Sequence, residues 1–277
     1  MSGLSNVTLC VVTSRDLAVS ELALQRSARD LRFGQVVLFS PDRPSDPGIR
    51  HVPIRRFARN KDYDHFVLAE LGRHIETDFA LIIHFDGFVI NPGAWRDDFL
   101  EYDYIGARWP WQPHAPVGNG GFCLRSARLL RITAESRFIR EDHPEDIVIC
   151  REERGYLESR HGIRFAPPDV ADRFSVEHSA VPTGSFGFHG LFHLHRVYPD
   201  SEIDRVLSLM NPAVYAGAQA LFWFLTLQQE GGHRILGRLA KAIVDAQPSD
   251  VLARNCAAFR VSPVDAALAL ARAVGRG

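Results

Sequence analysis

The chain has 277 residues, 46% of them apolar and 23% charged. That make-up excludes a disordered chain and leaves room for one large α/β domain plus an appendage. Thirty-two Lys and Arg against 33 Asp and Glu give a formal charge of −1, so no basic excess points to nucleic acid as a partner.

Met1 to Asn6 is polar and lacks the apolar core of a signal peptide, so a cytoplasmic protein is expected. Val7 to Val12 (VTLCVV) is a continuous apolar run, the pattern of a strand buried on both faces. Thr13-Ser14-Arg15-Asp16 follows as a polar loop, and Val19 to Leu31 has helical spacing, with Leu22, Leu24, Ala28 and Leu31 sharing a face. Gln35 to Phe39 reads as a second buried strand, closed by the turn-rich SPDRPSDPG. A strand-helix-strand opening of this kind predicts a layered α/β domain.

Asp64 to Ile75 reads as a helix and Phe79 to Ile83 as a third central strand, ending in His84-Phe85-Asp86-Gly87. A short helix over Ala94 to Leu100 and a brief strand over Tyr104 to Ala107 come next. Val117-Gly118-Asn119-Gly120-Gly121-Phe122 is a glycine-rich loop leading into a strand (FCLR) and a helix from Ser126. Pro144 to Ser159 reads as a long helix with Glu145-Asp146 in its first turn, and Phe186 to Gly190 closes the motif-bearing region. Residues 202–276 are rich in Ala and Leu, with helical periodicity and no strand-like runs. These observations divide the chain into residues 1–200 and a helical appendage over 201–277. The longest apolar stretch, Ala213 to Leu227, contains Gln219 and is shorter than the ~20 residues that span a bilayer.

Cys10, Cys123, Cys150 and Cys256 are far apart and never form CxxC, which argues for reduced, buried thiols over a disulfide framework or thiolate zinc site. Four other groups of residues could carry chemistry. His84 and Asp86 end a central strand, where open α/β sheets place ligands. Read as extended chain, they point the same way and could face one metal-bound diphosphate, with Gly87 allowing close approach. Their alternative role is to cap a turn. The Val117–Phe122 loop could wrap phosphate or sugar with backbone N–H groups, or be a plain turn, and it matches neither a P-loop nor a dinucleotide fingerprint. Glu145 and Asp146 could supply a general base or serve only the helix dipole. His189 could bind metal, alone or with His193 and His195 as a three-His zinc site. Trp109 and Trp111 could stack on a sugar ring or fill a core.

HFDGFVINPGAW, FLEYDYIGARW, VGNGGFCLRS, PEDIVIC, GIRFAP and FGFHG occur in the order found in DUF5672 proteins. From Val7 to Gly190 the chain resembles that family, which is similar to nucleotide-sugar glycosyltransferases of the GT-A fold. The resemblance implies a GT-A-like, Rossmann-type mixed sheet flanked by helices. It implies a divalent metal, Mn²⁺ or Mg²⁺, held by Asp86 and His189. His84 stands where the metal motif normally has its first Asp. Asp146 of the Glu145-Asp146 pair matches the base of inverting members, and Gly120 and Gly121 match the loop beside the donor sugar. Thr13 and Arg15 occupy the usual nucleotide-contact region, and Lys61 could reach a phosphate. The implied substrates are a nucleotide-sugar donor and a glycan or lipid-linked acceptor, as in surface-glycan or polysaccharide biosynthesis. A non-catalytic nucleotide-sugar binder and a metal-dependent hydrolase or nucleotidyltransferase are the alternatives. The helical appendage is expected to pack on the catalytic domain, form a homodimer, or touch the inner face of a membrane through Phe222, Trp223 and Phe224.

Overall fold

A computed structural model describes residues 3–140 and 142–275. The chain separates into two compact units, one ending at His189 and one beginning at Gly190. The compositional boundary at Ser201 therefore lies downstream of the boundary drawn by packing.

The first unit is built on a six-stranded sheet. Its strands are β1 (Gly3–Val12), β2 (Arg32–Ser40), β3 (Arg50–Pro53), β4 (Phe79–Ile83), β5 (Tyr104–Ile105) and β6 (Phe122–Ser126), in the order β3-β2-β1-β4-β6-β5. The first four in that order run parallel, whereas β6 is antiparallel to both β4 and β5. The expected Rossmann-type mixed sheet flanked by helices is the one found. Strand order reverses between β1 and β4, so their carboxyl ends open the crevice where such sheets bind ligands.

The apolar strand runs are buried because both sheet faces are covered. Cys10, Val12, Val37, Phe39, Ile82 and Cys123 pack into one cluster with Phe66, Val67, Leu71, Val148, Ile149 and Leu157. Alternation sends Leu9, Val11, Leu38 and Leu81, all buried, to the other face. The four cysteines are free and buried, and burial pushes the Cys123 thiol up to about 11.

Helix α1 (Leu17–Ala28) follows the Thr13–Asp16 loop. The helix expected over Asp64–Ile75 begins earlier, as α2 (Asn60–His65), then widens into a π turn at Phe66–Glu70 and tightens into a 3₁₀ turn at Leu71–His74. The expected helix over Ala94–Leu100 is instead two 3₁₀ turns, Pro92–Ala94 and Asp97–Glu101. After β6, Ser126 caps α3 (Ala127–Ile132) by accepting the Leu129 N–H at 3.0 Å. The long helix expected over Pro144–Ser159 is broken. It starts as α4 (Glu145–Ile147), passes through a π turn at Val148–Glu152, and resumes as α5 (Arg154–His161) after Glu153 leaves helical geometry. Three further elements carry no clear sequence signal: α6 (Pro168–Phe174) and the parallel pair β7 (Ser175–Val176) and β8 (Gly187–Phe188). Each is short, and β7 and β8 have too few residues for a periodicity to emerge.

The second unit is helical: α7 (Leu194–Val197), α8 (Asp200–Leu209), α9 (Pro212–Tyr215), α10 (Ala218–Gln229), α11 (Leu236–Ala246), α12 (Ser249–Ala258) and α13 (Pro263–Val274). Gly217 divides the long apolar stretch into α9 and α10. Among the described residues no helix is long and apolar enough to cross a membrane. Phe222, Trp223 and Phe224 do not form an exposed wedge. Trp223 and Phe224 are fully buried, and Phe222 stacks on Phe259 at 5.0 Å and meets Phe192 edge-on at 4.8 Å. Their apolar surface is spent within this unit's own core.

Candidate functional site

The chain does not continue straight past β4. The backbone N–H of His84 donates to Gly87 C=O at 3.2 Å and that of Gly87 donates back at 3.1 Å, closing a two-residue hairpin around Phe85 and Asp86. His84 and Asp86 therefore face one space because of this turn and not because of strand alternation. The His84 N–H also reaches Gly121 C=O at 2.9 Å, which ties the hairpin to the glycine-rich loop. A Cβ on Gly87 would meet Gly121 O at 2.8 Å and His189 Cδ2 at 3.0 Å, so glycine is required here by the protein's own packing.

β8 delivers His189 to the same place. One ligand atom each from His84, Asp86 and His189 lies within 4.8 Å of the other two, and no other such metal-ligating group occurs among the described residues. His189 Nε2 is 3.6 Å from Asp86 Oδ1, while its Nδ1 is 3.0 Å from Glu177 Oε1 and 2.9 Å from Asn119 Nδ2. With Nδ1–H donated to Glu177, loss of the Nε2 proton to an incoming ion would turn that nitrogen's lone pair toward Asp86, the arrangement of a carboxylate-held metal histidine. His84 Nε2 is 2.7 Å from the Tyr63 hydroxyl. When that hydroxyl accepts the Nε2 proton's hydrogen bond, Nδ1 is the free lone pair.

Electrostatics divide the two histidines. Burial, reinforced by His189, pushes His84 down to about 4, so it is neutral at pH 7. Burial alone would also lower His189, but Asp86 and Glu177 outweigh it and push it up to about 10. Burial disfavours charge on Asp86 and Glu177, yet His189 holds both carboxyls below their ordinary range. Two imidazoles and a carboxylate in reach of one point, with a buried carboxylate behind one imidazole, fit a divalent transition ion.

The glycine loop connects this cluster to the acidic pair. Asn119 takes a left-handed conformation (φ 73°), and its Oδ1 accepts the Gly121 N–H at 2.9 Å. The Gly120 N–H donates to Asp146 Oδ2 at 3.1 Å. A Cβ on Gly121 would lie 2.1 Å from His189 Nε2, and one on Gly120 would lie 2.0 Å from Glu145 Oε1. Both glycines are thus explained by side chains packed on them, and both N–H groups are taken by side chains of the loop's own surroundings.

Glu145 and Asp146 diverge. Glu145 is 3% exposed and pairs with fully buried Arg125 at 2.7–2.9 Å. Burial pushes it up to about 7 against the pull of Arg125. Asp146 is half-buried, its Oδ1 accepts the Ile147 N–H at 2.8 Å, and burial raises it despite the Gly120 hydrogen bond. Each Asp146 oxygen keeps a second lone pair. Asp146 and His189 therefore flank two consecutive glycines.

The remaining sequence candidates lie in local networks. Thr13 Oγ1 accepts the Asp16 N–H at 3.1 Å, shaping the turn after β1, and Arg15 is exposed. Lys61 Nζ donates to His143 C=O at 2.5 Å and pairs with Asp64 at 3.4 Å. Asp64 in turn accepts the Glu145 N–H at 3.3 Å, so Lys61 helps hold the start of α4. His193 and His195 form no metal cluster with His189. His193 Nδ1 meets Arg196 at 2.7 Å, and both ring nitrogens of His195 are engaged, by Glu230 and by the Trp223 indole. Sequence reasoning missed Tyr63, Asn119, Arg125 and Glu177. Asn119 within a run of glycines was the one visible signal.

A sequence model described as "Protein of unknown function (DUF5672)" matches residues 47–189, just over half the chain. The chain belongs to the DUF5672 family. Every residue of the histidine and aspartate cluster of this DUF5672 protein lies inside the matched segment. No curated protein matches the sequence. Among solved structures, the DUF5672 chain is similar to a glycosyltransferase involved in glycosylation of the major capsid of PBCV-1, at 12% identity, TM-score 0.45, 73% of this chain and 98% of that one. It is similar to the glycosyltransferase GlyE of Streptococcus pneumoniae TIGR4, at 12% identity, TM-score 0.39, 80% of this chain and 62% of that one. It is also similar to the mannosyltransferase PcManGT of Pyrobaculum calidifontis in complex with GDP-Man and Mn²⁺, at 15% identity, TM-score 0.38, 98% of this chain and 81% of that one.

Proposed function

We propose that this protein is a metal-dependent glycosyltransferase that moves a sugar from a nucleotide-sugar donor to an acceptor hydroxyl with inversion. The observation that carries the proposal is the convergence of His84, Asp86 and His189 at the carboxyl end of β4, one glycine away from the half-buried carboxylate of Asp146. Asp86, His189 and His84 would hold the ion. Two imidazoles beside one carboxylate suit Mn²⁺ better than Mg²⁺, which favours an octahedral shell of oxygens. A bound divalent ion supplies charge neutralisation for a departing diphosphate.

The chain's own residues have separable tasks. Asp146 takes the proton of the acceptor hydroxyl as that oxygen bonds to the anomeric carbon, and the bond from that carbon to the diphosphate oxygen breaks with its electron pair. Burial raises the Asp146 carboxyl and so makes it a stronger base. One carboxylate suffices because a diphosphate leaves without an acid, unlike the alcohol released by glycosidases. Glu145 has a different task from the one expected. Its pairing with Arg125 and its position against Gly120 make it an anchor for the loop on which Asp146 and His189 rest. Thr13 and Arg15 stand after β1 on the other side of the switch point, where a nucleotide would lie.

A thermal-shift screen of nucleoside diphosphates and nucleotide sugars, with Mn²⁺, Mg²⁺ or EDTA, tests the reading. A ligand at a hundredfold excess over its Kd adds ~2.7 kcal/mol of stability. The expected result is a shift with one nucleotide class that needs metal, is larger with Mn²⁺ than with Mg²⁺, and disappears in Asp86→Ala and His189→Ala. Absence of any nucleotide-dependent shift in the wild-type protein would overturn it.

A further inference from the structure

Trp109 and Trp111 flank Pro110, and the fold treats them in opposite ways. Trp109 is buried, with its indole across Gly118, where a Cβ would come within 2.1 Å of the ring. Trp111 is 56% exposed, the one aromatic side chain among the exposed large hydrophobics of the described residues. Holding an indole in water forgoes a large gain from burial.

The loop that does so is firmly built. Arg108 and Val117 pair as an antiparallel bridge, and the Trp109 N–H donates to Pro116 C=O at 2.7 Å. The Gln112 N–H donates to Trp109 C=O at 3.0 Å, closing a four-residue turn with Pro110 second and Trp111 third. Pro110, Pro113 and Pro116 fix φ at three positions of this loop. At its root Arg108 pairs with Asp172 of α6 at 3.1 Å. α6 runs directly into β7 and on to Glu177 and His178. The His178 ring meets the Trp111 indole at 5.2 Å, tilted by 63°. Glu177, the residue before His178, holds Nδ1 of His189. A chain of contacts thus runs from the exposed indole through His178 and Glu177 to Nδ1 of His189, while Asp86 meets Nε2 of that ring.

We infer that Trp111 and His178 form a pyranose-binding subsite at the rim of the candidate site, taking a sugar ring of the acceptor. The assignment to an acceptor rests on the transferase reading above. The flat indole face matches the C–H face of a pyranose, and the His178 ring set against it brackets that face with a polar group. A preformed, proline-stiffened loop lowers the ordering cost of binding. The donor sugar stays attached to the diphosphate near Asp86, so the surface beyond Glu177 falls to the acceptor.

Saturation-transfer NMR on the full chain tests this with methyl α- and β-pyranosides of glucose, galactose, mannose and N-acetylglucosamine, without nucleotide or metal. A parallel arm uses the matching nucleotide sugars with Mn²⁺. At least one free glycoside should receive saturation on its ring protons. That signal should fall roughly five- to tenfold in Trp111→Ala, fall in His178→Ala, and be largely retained in Trp111→Phe. Mn²⁺ affinity and Tm of the Trp111 variants should match wild type. No saturation of any free glycoside, or saturation indifferent to both alanine variants, overturns the subsite. Saturation confined to nucleotide sugars and lost in Trp111→Ala assigns the surface to the donor and overturns the acceptor assignment. A failure of the transferase reading looks different. The wild type would then bind neither Mn²⁺ nor nucleotide, while a Trp111-dependent glycoside signal would still uphold a sugar-binding surface.

Discussion

Glu145 and Asp146 are adjacent in the chain, yet one is a buried anchor and the other a half-open carboxylate. Sequence could place both at a helix start but could not say which one is buried in an ion pair, because that depends on Arg125 arriving from β6. Asp146→Asn is expected to keep Mn²⁺ and nucleotide binding while lowering turnover by about 10²–10⁴. Near-normal turnover in a donor-consumption assay would remove Asp146 from the role of base. Glu145→Ala leaves Arg125 buried and unpaired, and is expected to lower stability by about 3–5 kcal/mol in denaturant unfolding. His189 makes a pH prediction. Its folded value is raised to about 10 from an ordinary 6.5, so its contribution is complete below about pH 6.5 and lost as pH rises through about 10. The Tm of the metal-free protein should fall over that window, and His189→Gln should flatten the fall.

The hairpin after β4 and the glycine loop before β6 show how much of the site was legible. His84, Asp86 and His189 could be singled out because polar residues interrupt apolar strand patterns. The family resemblance implied that Asp86 and His189 meet, but no local pattern carries that convergence or brings in His84, since β8 is two residues long and has no periodic signal. The reason for the glycines was also hidden. A pattern of Gly120 and Gly121 suggests a loop shaped for phosphate, whereas the structure fills the space above each with Glu145 and His189. Gly121→Ala should therefore push the His189 ring from its place. The expected result is a loss of about 1–3 kcal/mol in stability together with weakened Mn²⁺ binding, measured by thermal unfolding and metal titration. Stability loss with unchanged metal affinity would remove His189 from the ion site. Both long helices were foreseen in place but not in form. The π turns at Phe66–Glu70 and Val148–Glu152 arise where apolar side chains of both segments meet the same core cluster.

The chain as a whole divides into a sheet-based unit and a helical unit, and the helical unit has its own core. Trp223 sits at its centre, fully buried, with its indole N–H donated to His195 at 3.0 Å. Trp223→Ala should cost about 3–5 kcal/mol, read as loss of helical signal at lower denaturant concentration. A cost below ~1 kcal/mol would contradict the burial. A formal charge of −1 and a pI near 6.9 leave little net repulsion between molecules at neutral pH. Solubility at low salt should pass through a minimum near pH 7 and recover above pH 8.5, as followed by light scattering.

What followed from composition and local pattern alone was the class of the fold, the central strands β1, β2 and β4, the helical character of the last quarter, and the short list of residues able to do chemistry. These follow because burial on two sheet faces leaves continuous apolar runs, and because polar residues at a strand end stand out against them. What only the three-dimensional arrangement decided was which of those residues meet. The Tyr63–His84, Glu177–His189 and Arg125–Glu145 contacts join residues 12 to 21 positions apart that lie on different elements, and β7 and β8 position His189 through two short pairings. Such contacts depend on where separate elements pack against one another, and that packing is a property of the whole core, which no local stretch of sequence contains.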